Sequence, residues 1–111
     1  MNSKYLLEGT EPVAYKDVLK LDRKFEAIDT RVARTDITED IFVSTIFLGL
    51  DYQFNKKGPP LLFETMCFGG PLDQEQERYS NWAQAEQGHE FMCGRVRERL
   101  EKEAIDAQQP M

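Results

Sequence analysis

His89 is the one histidine in this chain of 111 residues, and Asp51 and Glu64 are the carboxylates best placed to work with it. Glu64 stands inside an otherwise apolar stretch, Leu61-Leu62-Phe63 before it and Thr65-Met66-Cys67-Phe68 after it. A carboxylate at the centre of a strand must face a cleft, meet a cation, or hold its proton because desolvation raises its pKa. One reading is a general base or ligand contact. The other, which demands less of the fold, is a solvent-facing or Arg-paired residue on the exposed side of a sheet. His89 falls on the apolar seam of a helix, where a lone histidine is more often a hydrogen-bonded core residue than a catalyst. Asp51 follows Gly49-Leu50 at a strand end. An Asp51–His89 pair with Glu64 nearby would be the skeleton of a hydrolase-like site, although nothing in the spacing makes them meet.

Other chemistries have weaker starting points. Ser44, Thr45 and Thr65 offer hydroxyls, but no Gly-x-Ser-x-Gly elbow surrounds a nucleophile. Gly69-Gly70 lies in no dinucleotide or Walker pattern, and Pro71 follows directly. No His-Glu-x-x-His, EF-hand or Cys-x-x-Cys pattern occurs, so neither a metal nor a cofactor is expected. Cys67 and Cys93 are too few for a disulfide framework or a Cys-rich zinc site; they read as buried, reduced thiols that pack like small hydrophobes.

These residues need elements to position them. Tyr5-Leu6-Leu7 and Val13-Ala14-Tyr15 are short apolar patches across a turn marked by Gly9 and Pro12, and either could be an edge strand. Val18, Leu21, Phe25 and Ile28 recur at helical steps, which predicts a helix over residues 16–28. Arg31–Ile37 reads as a strand, followed by a polar turn at 38–40. Ile41–Leu50 is apolar on both alternating faces, as in a central strand, and Leu61–Phe68 pairs with it most simply as a long hairpin with a wide loop. Gly69-Gly70-Pro71 ends that strand, and a loop over 72–80 leaves room for a short edge strand near Arg78-Tyr79.

The last helix is the clearest. Asn81 with Gln84 fits a capping box, and Trp82, Ala85, His89, Met92, Val96, Leu100 and Ala104 form a seam at three- and four-residue steps. Gly88 interrupts it, at about 1 kcal/mol relative to alanine. A glycine there predicts that something bulky, such as an aromatic from the sheet, packs close. The expected architecture is α+β, roughly β-α-β-β-β-α, with both helices on one face of a short antiparallel sheet. Residues 1–105 form one domain and 106–111 a frayed tail.

Composition bounds the role. Hydrophobic residues make up 41% of the chain, enough for a core. Twenty acidic against fourteen basic residues give a net charge of -6, which argues against direct binding to nucleic acid. The acids are interleaved with Lys and Arg, so a nucleic-acid mimic is the weakest of the options. No apolar run reaches membrane-span length, and the first residues do not resemble a signal peptide, so a soluble protein of the cytoplasm is expected. Phe42, Phe47, Tyr52, Phe54, Phe63 and Phe68 outnumber what one small sheet face can hide; some are expected to line a ligand pocket or a subunit interface.

The stretch from Val43 to His89 also carries a resemblance. Val43–Asp51, Gly58-Pro59-Pro60-Leu61-Leu62-Phe63-Glu64-Thr65-Met66, Gly69-Gly70, Arg78-Tyr79, Trp82 and Gly88-His89 together resemble a family of small uncharacterised proteins of tailed bacteriophages and prophages. The resemblance implies a setting, the infected bacterial cytoplasm, and no mechanism. Small phage accessory proteins often bind and redirect a host protein. The leading expectation is therefore a non-enzymatic binder of a host bacterial protein, in counter-defence or host take-over, acting as a monomer or a homodimer. Asp51, Glu64, Tyr79, Trp82 and His89 are its candidate partner- or ligand-binding residues. The alternative is a small-molecule binder or minor hydrolase with a cleft around Asp51, Glu64 and His89. It requires those side chains within one hydrogen-bonded step of each other, on one side of the sheet.

Overall fold

Alternating burial defines the centre of the structure, a computed structural model that describes residues 4–14, 30–51 and 57–108. Strands β4 (Phe42–Phe47) and β5 (Phe63–Phe68) pair antiparallel from Phe42↔Phe68 to Phe47↔Phe63. Successive strand side chains point to opposite faces. Val43, Thr45 and Phe47 on one strand, with Phe63, Thr65 and Cys67 on the other, therefore share a face, and all six are buried. Ser44, Ile46, Glu64 and Met66 occupy the opposite face and are half-buried. The apolar run at 41–50 suggested a longer strand. It ends at Phe47 because Gly49 turns the chain at φ +78°.

Strand β3 (Arg31–Asp36) flanks β4 and β6 (Gln76–Tyr79) flanks β5, giving the order β3-β4-β5-β6. A register shift between Arg31 and Ala33 sets Ala33 opposite Thr45 and Thr35 opposite Val43, on the buried face. Between β5 and β6, Gly69 adopts φ +87°, and a Cβ there would run into the Asp40 carbonyl, so only glycine fits.

Within the described residues, which exclude Tyr15, both N-terminal patches are strands. β1 (Tyr5–Glu8) and β2 (Glu11–Ala14) form a hairpin around Gly9-Thr10, with Gly9 at φ +63°. This is a second, two-stranded sheet rather than an edge of the first. It is tied to the larger sheet where the Tyr5 N–H donates to the Gly49 carbonyl at 2.7 Å and where Leu7 packs with Phe47, Leu62 and Phe63. The expected single sheet is thus two sheets of two and four strands. The helix expected over 16–28 lies outside the described residues.

Helix α1 (Trp82–Gln108) closes the fold. Asn81 Oδ1 accepts the Gln84 N–H at 2.8 Å, as an N-cap should. Gln84 Oε1 reaches back to the Ser80 N–H at 3.1 Å, one residue beyond the cap's own amide, a shifted form of the capping box. Ala85, His89, Met92, Cys93 and Val96 are buried against the sheet. Leu100 is half-buried and Ala104 is exposed, so the seam outruns the sheet that it packs on. The helix continues through Asp106 to Gln108, past the expected start of fraying, with residues 101–108 all exposed.

Two apolar clusters result. One joins Ile41, Val43, Cys67 and Leu72 to Met92, Cys93 and Val96; the other joins Leu7, Phe47, Leu62 and Phe63 to Ala85, with Tyr79 and Trp82 packed on it. His89 lies between them along the helix.

Candidate functional site

The buried face holds a continuous polar line under α1. His89 Nε2 is 2.8 Å from Thr35 Oγ1, and Nδ1 is 2.8 Å from Thr45 Oγ1. Thr45 Oγ1 is in turn 2.5 Å from Thr65 Oγ1. Thr65 also hydrogen-bonds the Tyr79 hydroxyl, and Thr35 hydrogen-bonds the Cys93 thiol. The line therefore links one hydroxyl from each strand of the four-stranded sheet, with Thr35 and Thr45 directly on the imidazole and Thr65 and Tyr79 behind Thr45. A neutral histidine has one N–H and one acceptor nitrogen, and each hydroxyl can donate once, so every link is satisfied with the protons running in either direction. No buried side-chain nitrogen or oxygen among the described residues lacks a partner.

Burial lowers the His89 pKa from its ordinary value of 6.5, against a smaller opposing pull from Glu90. The imidazole is held neutral, and both ring nitrogens are engaged. Burial likewise raises the Tyr79 phenol, and raises both thiols, so Cys67 and Cys93 stay protonated at neutral pH. These are the attributes of a sealed core network.

A pH dependence follows with a definite sign. Well above pH 6.5 neither folded nor unfolded His89 binds a proton, and the network contributes fully. Below it the unfolded chain takes up a proton that the folded chain refuses, so stability falls as pH drops towards the folded pKa. The slope is at most about 1.4 kcal/mol per pH unit for one group. Urea titrations from pH 7 to about pH 5 should show this loss, and His89→Gln should flatten it. An unchanged slope in the variant would contradict the assignment.

The other expected residues are dispersed. Glu64 is on the opposite face of β5, where its Oε2 accepts from Arg78 Nε at 2.9 Å. The sheet itself separates it from His89. Asp51 is buried, and its Oδ1 accepts the Leu61 N–H at 3.1 Å, bracing the far end of the β4–β5 connection. The cleft of Asp51, Glu64 and His89 is therefore not assembled. Among the described residues no three His, Cys, Asp or Glu side chains gather as a metal-binding group, and no helix is long and apolar enough to cross a membrane.

Tyr79 and Trp82 do come together at one end of the helix–sheet interface. Trp82 meets Phe63 edge-on at 6.1 Å, and its indole N–H donates to Glu86. Tyr79 is the aromatic that Gly88 accommodates: a Cβ on Gly88 would overlap the end of the Tyr79 ring. Outside this contact, Tyr79, Arg78 and Glu77 form one wall of an open groove of about 650 Å³, with Gln84, Gln87, Gly88 and Phe91 of α1 as the other. Phe91 is 70% exposed there.

The surplus aromatics divide between the faces. Phe47 and Phe63 are buried. Phe42 and Phe68 stack on the opposite face at 4.7 Å, with the Arg34 guanidinium 3.9 Å above Phe42. Tyr52 and Phe54 lie outside the described residues.

Thr35 and the connected hydroxyl line were not anticipated. Their signal was present, since Thr45 and Thr65 are the polar members of otherwise apolar alternations, but the register that joins them is a tertiary fact. Fold and site together define a small α+β protein with a neutral, saturated core network and aromatic surface features. Compared with known proteins, the chain matches no family model, no curated protein and no solved structure.

Proposed function

We propose that this chain is a non-enzymatic binding protein of the phage-accessory type, which acts on a host bacterial protein in counter-defence or host take-over. The observation that carries the reading is the state of His89. An imidazole with both nitrogens hydrogen-bonded, buried beneath a helix and kept neutral cannot approach a substrate. With Glu64 on the other face, the hydrolase alternative lacks the shared cleft that it requires. The surface offers recognition features in its place: Phe91 and Tyr79 in the groove, and the Phe42–Phe68 stack with Arg34 on the open face.

Quantitative affinity pull-down from a bacterial host lysate tests this. A host protein should be enriched with the wild-type chain over a folded control whose exposed residues are scrambled. Equal recovery from both would sink the proposal.

A further inference from the structure

Gly88 is accounted for by Tyr79, but α1 holds a second interior glycine that nothing within the chain explains. A Cβ on Gly94 would meet no atom within 4 Å among the described residues. The helical cost of a glycine is therefore uncompensated there by any contact inside the protein. Three residues earlier, Phe91 is 70% exposed, more than any other large apolar side chain described. An unfilled gap and an unburied ring thus sit side by side, on the face of α1 opposite the buried Ala85, His89, Met92 and Val96.

The spacing on this face identifies what fills the gap. Gln87, Phe91, Gly94 and Glu98 follow one another at steps of four, three and four, which forms one stripe. That spacing reads the same in both directions. A two-fold axis between Met92 and Cys93 therefore lays Phe91 of each copy over Gly94 of the other, and Gln87 over Glu98. In a two-fold contact every such pair forms twice. The ring fills the gap, and the absent side chain lets the helix axes approach to about 8 Å, the short end of the usual range. The Gln87 amide can donate to the Glu98 carboxylate. Charge follows the same axis. Glu90 and Arg97 are exposed, lie seven residues apart on one edge of the stripe, and join no ion pair among the described residues. Their midpoint is one residue, about 1.5 Å, from the axis, so Glu90 of each copy faces Arg97 of the other.

We infer that α1 is a dimerisation helix. Two copies of this chain cross antiparallel at Met92 and Cys93, with Phe91 in the Gly94 gap of the second copy and Glu90 paired with its Arg97. A crossing of about three turns buries less than the roughly 800 Å² per partner of a standard interface, so the dimer is weak and concentration-dependent. It does not involve the Phe42–Phe68 face of the sheet. The inference goes beyond the reading of the chain as a host-protein binder and does not depend on it.

Sedimentation equilibrium of the full chain from about 1 μM to about 1 mM should show a reversible monomer–dimer equilibrium. Phe91→Ser and Gly94→Gln should each weaken it about tenfold or more. At dilutions where the chain is monomeric, Gly94→Gln should nevertheless raise the melting temperature, because glutamine is the better helix former and meets no obstacle there. A substitution that stabilises the chain while breaking the dimer separates lost contact from lost fold. Glu90→Arg and Arg97→Glu should each weaken association. The double reversal should restore it, since both pairs then form with their signs exchanged. Phe68→Ser, on the other side of the sheet, should leave the equilibrium unchanged. A monomer throughout that range would overturn the inference, including one whose capture of a host protein is lost with Phe91→Ser. So would a dimer that ignores Gly94→Gln and the charge reversals, even if it needs Phe91.

Discussion

His89→Ala is expected to lower the unfolding free energy by about 3–5 kcal/mol, the largest effect of any single substitution considered for this protein. Two losses combine. The imidazole is almost fully buried between the two apolar clusters, so its removal leaves a cavity that the strands and α1 can close only in part. It also strips the Thr35 and Thr45 hydroxyls of their common partner. Thr45 keeps Thr65, but a buried donor or acceptor left over costs about 1–3 kcal/mol. Against a total stability of about 5–15 kcal/mol for a domain of this size, the variant would be marginal. Chemical denaturation of wild type and variant gives the difference directly. The same argument predicts a rescue, because removing polar partners together is far less damaging than removing one. Thr35→Val with Thr45→Val and His89→Leu should recover most of the loss. A His89→Ala variant within about 1 kcal/mol of wild type would show that the line contributes little.

Gly88→Ala should be destabilising, although alanine is the better helix former. Helix propensity alone favours the change by about 1 kcal/mol. The new Cβ, however, would occupy the space of the Tyr79 ring end, and Tyr79 is packed on the Phe63 cluster and hydrogen-bonded to Thr65. Displacing it should cost about 2–3 kcal/mol in burial and hydrogen bonding, for a net loss of about 1–2 kcal/mol. Two comparisons isolate the cause. Gly94 is also within α1, but nothing lies within 4 Å of a Cβ placed there, so Gly94→Ala should stabilise by about 1 kcal/mol. In a Tyr79→Ala background, Gly88→Ala should likewise turn stabilising. If the sign did not reverse, the close approach of Tyr79 would not be what Gly88 is for.

The residues argue differently about how much could be read in advance. Gly88 announced a close packing contact because an interior glycine has a cost that only a tertiary contact explains, and an aromatic from the sheet is what fills the space. Asn81 and Gln84 announced the start of α1 because capping is local chemistry. Glu64 was correctly balanced between a cleft and a cation on the open face; Arg78 supplies the cation from the neighbouring strand. The hairpin at 5–14 was legible as two patches and a turn, but its separation into a second sheet was not, because apolar patches do not state which edge they will pair with.

The sequence by itself determined the local elements: strands within the apolar runs 41–50 and 61–68, a helical seam from Trp82 that reads on to Ala104, and the placement of His89 on that seam. Periodicity and capping are properties of neighbours along the chain, so they survive without knowledge of the fold. Only the tertiary structure decided what His89 does, because its partners Thr35 and Thr45 lie 54 and 44 positions away and meet it through strand register. One residue of slip would have turned those hydroxyls to the other face and left the imidazole unsatisfied. Register likewise put Glu64 across the sheet from His89, which turned a candidate catalytic set into a core network and a surface ion pair.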